Sequence, residues 1–183
     1  AANITFAVSP AITISAGTVA VSTSTGIATF TSSAISGTVG SYTLSYSVTG
    51  ASASSIATVS QTLALTHGTA TGMAIVQEPT VIRVGITTSA VVIKAVDAEG
   101  NLVDTGNASS GSANVSIGAG SSIAVIGTTS VSFSAGIATF SNIAVTGWAQ
   151  ATMRLLFSAT PSVGSNVMTS FLPCLLYTSD AAD

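Results

Sequence analysis

The chain has 183 residues, a formal net charge of −3 and only 5% charged residues, against about 25% in ordinary soluble domains. Its three cations, Arg83, Lys94 and Arg154, form no basic patch, which excludes a phosphate-neutralising surface and makes nucleic acid an unsuitable partner. The mean hydropathy of +0.71 comes from Ala, Val and Ile in short runs: no stretch reaches the ~20 apolar residues of a membrane helix, and 5% aromatics supply no girdle for a transmembrane barrel.

Helix signals are weak from end to end. Short runs of Val, Ile, Thr, Tyr and Phe between Gly, Ser, Asn and Asp predict strands throughout. The first clear strand is Tyr42-Thr-Leu-Ser-Tyr-Ser-Val48. Tyr42, Leu44, Tyr46 and Val48 face one way and Thr43, Ser45 and Ser47 the other, the alternation of a half-buried antiparallel strand. Thr66-His-Gly-Thr-Ala-Thr-Gly72 is polar and reads as a junction, after which the chain restarts with Met73-Ala-Ile-Val-Gln-Glu-Pro79. Strands are then predicted over 71–77, 82–84, 90–97, 114–117, 123–126, 130–133, 137–145, 151–159 and 166–171. Two turns stand out. Asp97-Ala-Glu-Gly-Asn101 separates two apolar segments, with Gly100 or Asn101 suited to positive φ, and Ser134-Ala-Gly136 reads as a hairpin turn.

The segment Gly26-Ile-Ala-Thr-Phe30 recurs as Gly136-Ile-Ala-Thr-Phe140, 110 residues later, with Gly17, Val21 and Gly37 matched by Gly127, Val131 and Gly147. A repeat of that length favours sandwich modules over a parallel β-helix, whose coils repeat every ~20–30 residues. Ala1–Val8 aligns with about Gly111–Gly118, so the first module begins midway. One residue deleted after Gly147 brings Met153, Leu155 and Phe157 onto Leu44, Tyr46 and Val48 and turns Arg154 outward; without it every side chain would change face. The expected organisation is all-β: a partial module at 1–66, a complete module at 67–171 and a tail at 172–183. The last ten residues, Cys174-Leu-Leu-Tyr-Thr-Ser-Asp-Ala-Ala-Asp183, resemble a translated transposase adapter and are set aside from fold reasoning. Since that stretch holds the only Cys, no disulfide is expected to join modules of about 105–110 residues, which are large enough to bury a core unaided. The lack of an initiating Met predicts a piece of a longer reading frame.

The order Met-Ala-Ile-Val-Gln-Glu-Pro, Val-Asp-Ala-Glu-Gly-Asn, Gly-Ile-Ala-Thr-Phe, Gly-Ser-Tyr-Thr-Leu-Ser-Tyr resembles bacterial Ig-like tandem repeats of large surface proteins and adhesins. The likeness covers about 71–171 in the second module and the later half of the first. Asp97, Gly100 and Asn101 match the family's turn after its second long strand, and Gly136, Ala138, Thr139 and Phe140 its later hairpin. Trp148–Thr152 departs from the usual Gly-x-Tyr-Thr-Leu. The resemblance implies an Ig-like β-sandwich, extracellular or at the cell surface, acting as spacer or adhesive module. Its partners would be neighbouring repeats and a surface glycan or a host protein. The alternative is a spacer region of a secreted polysaccharide-degrading enzyme.

Candidate chemistry is sparse. Asp97, Glu99, Asn101 and Asp104 carry oxygens suited to Ca²⁺, but the closing bidentate Glu of a calcium loop is absent and a turn explains the first three. His67, the only histidine, sits in the junction with no second ligand near it in sequence. No Gly-x-Ser-x-Gly elbow occurs, and a two-carboxylate glycosidase would have to draw on Glu78, Asp97, Glu99 and Asp104. The expectation is therefore no catalytic residue, no metal and no cofactor. Asn3, Asn107 and Asn114 open N-glycosylation triplets, with Asn107 the best placed. Tyr42 is positioned for a tyrosine-corner hydrogen bond, and Trp148 either caps the core or stacks on a sugar ring.

Overall fold

A computed structural model describes residues 3–15, 18–21, 25–31, 34–49, 57–106, 110–118, 123–147, 152–161, 164, 166–169 and 172–175. Among them every regular element is a strand, and the chain divides into two units, Ala1–His67 and Gly68–Asp183.

The first unit holds β1 (Asn3–Ser9), β2 (Thr13–Ser15), β3 (Thr18–Val21), β4 (Ala28–Thr31), β5 (Ala34–Ser36), β6 (Gly40–Thr49) and β7 (Val59–Leu65). Strand β6 lies between β1 and β7, antiparallel to both, while β2 pairs with β5 and β3 with β4. The alternation along β6 holds: Tyr42 and Leu44 are buried and Thr43 is exposed. Phe30 packs on Tyr46 with ring centroids 5.5 Å apart.

The second unit holds β8 (Gly72–Gln77), β9 (Ile82–Arg83), β10 (Val91–Val96), β11 (Ser112–Ile117), β12 (Ile123–Gly127), β13 (Ser130–Ser132) and β14 (Ile137–Phe140). It continues with β15 (Ile143–Gly147), β16 (Thr152–Met153), β17 (Leu155–Thr160), β18 (Val167–Met168) and β19 (Leu172–Leu175). One sheet runs β14-β10-β8 and another β13-β11-β17-β18. The two sheets pack face to face as a β-sandwich. Val91, Ile93, Ala95, Ala138 and Phe140 from the first sheet share one core with Ala113, Val115, Leu155 and Phe157 from the second. Phe140 and Phe157 meet across it, centroids 5.5 Å apart and tilted by 54°, a favourable aromatic geometry. Strand β9 runs parallel to β19, and Val84 bridges to Val145 in the same sense.

Two strand pairs are alike in the two units. Ile4 opposite Val48 and Phe6 opposite Tyr46 are matched by Val115 opposite Phe157 and Ile117 opposite Leu155. Ile14 opposite Ile35 is likewise matched by Val125 opposite Val145. This register moves the opening strand one residue from the alignment of Ala1–Val8 with 111–118, so that Ile4 meets Val115 instead of Asn114. Apolar residues then stay on the inner face.

Three strand predictions need correction. The run 137–145 is two strands that belong to different pairs, β14 with β10 and β15 with β12. The chain leaves one sheet at Ser141-Asn142, where the Asn142 carbonyl accepts from Thr128 N–H at 2.8 Å. The run 151–159 breaks at Arg154, because β16 pairs with β19 and β17 with β11. Met153, Leu155 and Phe157 are buried as expected, but Arg154 is half-buried rather than open to solvent, and its carbonyl accepts from Gly118 N–H at 3.1 Å. Of the described residues in the run 166–171, Val167 and Met168 form β18, and Leu172, first residue of the expected tail, is 2% exposed in the core. The hairpin turn at Ser134 is present: Ser134 and Ile137 exchange backbone hydrogen bonds, and Ala135 and Gly136 both have positive φ (47° and 73°), a type I′ turn that matches the twist of its strands.

Candidate functional site

Among the described residues, the densest polar arrangement is the turn that follows β10. Asp97 is only 4% exposed, and Gly100 takes φ 84°, which lets the chain reverse within four residues. Asp97 N–H donates to Asn101 O at 3.1 Å and Gly100 N–H to Asp97 O at 3.2 Å. The side chain then gathers four donors. Oδ1 accepts from the N–H of Glu99 (3.1 Å) and of Asn101 (2.8 Å); Oδ2 accepts from Gly68 N–H (2.9 Å) and Asn101 Nδ2 (2.9 Å). Outside the ring of bonds, Lys94 Nζ donates to Gly100 O at 3.3 Å.

A carboxylate offers about four lone-pair sites. All four on Asp97 face protein N–H groups, so it is committed as an acceptor and not directed at a ligand. Burial pushes its pKa up, but the bonds from Gly68, the Asn101 side chain, Asn101 N–H and Glu99 N–H outweigh that, and the carboxyl titrates below its ordinary value.

The other sequence candidates disperse. Glu78, Glu99 and Asp104 are exposed, Asn101 is buried beside Asp97, and His67 is half-buried at the end of the first unit. Among the described residues no three His, Cys, Asp or Glu groups come together at metal-binding spacing. Tyr42 Oη donates to Thr38 O at 2.6 Å, four residues upstream, the corner bond expected from its place at the start of β6. Asn114 projects from β11, where its Nδ2 donates to Thr160 Oγ1 at 3.1 Å. Trp148 and Asn107 lie outside the described residues; Asn3 is placed only as the first residue of β1.

One structural role escaped the sequence. Thr169 is 1% exposed between β18 and β19. Its N–H donates to Leu155 O at 3.0 Å and its Oγ1 accepts from Leu155 N–H at 3.0 Å, so side chain and backbone together continue the pairing where the strand breaks. A threonine in a strand run gives no sequence signal for this, since Thr is common on strands. The outer face of the β1-β6-β7 sheet is lined by hydroxyls in register, Thr5 with Ser47, Ser45 with Ser60 and Thr43 with Thr62, and carries no charge. Thr5 and Ser47 share a hydrogen bond of 2.9 Å.

No family model and no curated protein matches the chain. Among solved structures it is similar to the apo structure of Bacteroides uniformis beta-glucuronidase 3, at 10% identity and a TM-score of 0.40. That match covers 80% of this chain and 18% of the other, and a likeness at that score carries no argument for fold or activity.

Proposed function

We propose that the chain is a non-catalytic spacer and adhesive part of a protein displayed outside the cell, built from tandem sandwich repeats of the bacterial Ig-like type. The observation that carries this reading is the pairing common to the two units: β1 with β6 and β2 with β5 match β11 with β17 and β12 with β15, about 110 residues later and in equivalent register. Its few chemistry-bearing side chains support the same reading. Asp97, Tyr42 and Thr169 each hold a turn, a corner or a strand join. Hydroxyl groups solvate the outer sheet face without charge. The mechanism is mechanical and multivalent. Successive repeats hold a distal binding element away from the surface, and many copies raise avidity toward a surface glycan or a host protein without a tight individual site.

The test is to tether the full chain between beads and extend it. The second unit is expected to yield in a single cooperative step and to refold on relaxation; gradual yielding without a step would remove the mechanical role. In parallel, the purified chain is incubated with neutral and acidic polysaccharides. Release of new reducing ends would overturn the non-catalytic reading.

A further inference from the structure

The bond from Gly68 N–H to Asp97 Oδ2 differs in kind from the other three on that carboxylate. Glu99 and Asn101 belong to the turn itself; Gly68 lies 29 residues earlier, on the segment that enters the second unit. Strand β7 ends at Leu65 and β8 begins at Gly72. Between them, Thr71 N–H is held by Val96 O at 2.9 Å, and Gly68 is held by the carboxylate of the next residue, Asp97. The join is made by hydrogen bonding and not by a close fit: a Cβ on Gly68 would meet Asp97 Cβ and Oδ2 at an ordinary 3.7 Å.

We propose that Asp97 is a clasp for the inter-unit segment, fastening the chain to the second unit at Gly68 instead of at Thr71. The turn supplies the rigidity. Two backbone N–H groups and the Asn101 amide fix the carboxylate, and the fixed Oδ2 then captures the passing backbone. A charge-assisted bond to a preorganised, buried acceptor is stronger than one between neutral groups. Releasing it frees three further residues, about 10 Å of extended reach. The clasp therefore sets the residue at which the second unit takes hold of the chain. It is a property of the joint and stands whether or not the chain is a spacer.

Amide hydrogen exchange on the full chain tests this. Asp97→Ala removes both acceptor oxygens, so nothing at that position accepts from Gly68. Exchange at Gly68 is expected to quicken about tenfold or more, the equivalent of losing one such bond. If Gly68 stays within about twofold of the parent while Glu99 and Asn101 quicken, Asp97 is a turn residue only and the clasp is overturned. Should Asp97→Ala fail to fold, a matched pair decides: Gly68→Pro deletes the donor and Gly68→Ala keeps it, both leaving Asp97 in place. Faster exchange at Thr71, the next amide held to the second unit, in the proline variant but not the alanine variant supports the clasp. Equal exchange in the two overturns it.

Discussion

At the scale of single residues, the balance at Asp97 has a consequence for acid stability. Its carboxyl titrates below the ordinary 3.8 because four hydrogen bonds to the charged form outweigh burial. The unfolded chain therefore takes up a proton there before the folded chain does. The stabilisation is complete above the ordinary carboxylate value and is lost as pH falls through the lower, folded-state value. Replacing Asp97 by Asn leaves donors facing donors and is expected to cost roughly 2–4 kcal/mol at neutral pH. The gap between parent and variant should narrow as pH drops below 3.8. Urea unfolding at a series of pH values measures it; a gap that stays constant down to strong acid would show that the charge is not the source. The turn itself is legible in the sequence, since Asp-x-x-Gly-Asn carries both the side-chain acceptor and the glycine that the reversal needs. Its fourth donor is not legible, because Gly68 is brought there by tertiary structure.

At the scale of elements, alternation revealed which residues face inward but not where strands end. Met153, Leu155 and Phe157 are buried as the period-2 pattern requires, yet β16 and β17 are separate strands with different partners. The residue pattern can run unbroken across Arg154, and across Ser141-Asn142, because inner and outer positions continue to alternate while the chain changes sheet. Thr169 shows how such a break is tolerated. Its hydroxyl replaces a backbone carbonyl as acceptor for Leu155 N–H, and at 1% exposure no water replaces it in turn. Thr169→Val keeps the shape and removes the acceptor, which leaves a buried N–H unpaired and should cost about 1–3 kcal/mol. Thr169→Ser keeps the oxygen and loses only a methyl group, so it should cost about 1 kcal/mol or less. Denaturant midpoints of the two variants compare directly. If valine proves no worse than serine, the hydroxyl does not close the gap.

At the scale of the whole molecule, the two units share two strand pairs, and among the described residues the second buries more apolar side chains. Among the described residues, Tyr42 and Leu44 are the buried apolar side chains of the first unit. The second unit closes a continuous core around Ile82, Ile93, Phe140, Ile143, Leu155 and Phe157, all essentially inaccessible to water. Strand β4 marks the difference. It pairs with β3, whereas β14, its counterpart around the repeated Gly-Ile-Ala-Thr-Phe, pairs with β10 and delivers Phe140 against Phe157. Buried apolar area is the main favourable term in folding, and each fully buried Ile, Leu or Phe is worth roughly 1.5–3 kcal/mol. The second unit should therefore outlast the first under denaturant. Amides of β6 are expected to exchange by local or unit-wide opening while those of β10 and β17 remain protected, and heating should show two transitions. A single transition with equal protection in β6 and β17 would mean that the two units fold as one cooperative body, and stability could not then be assigned by the core each unit buries alone.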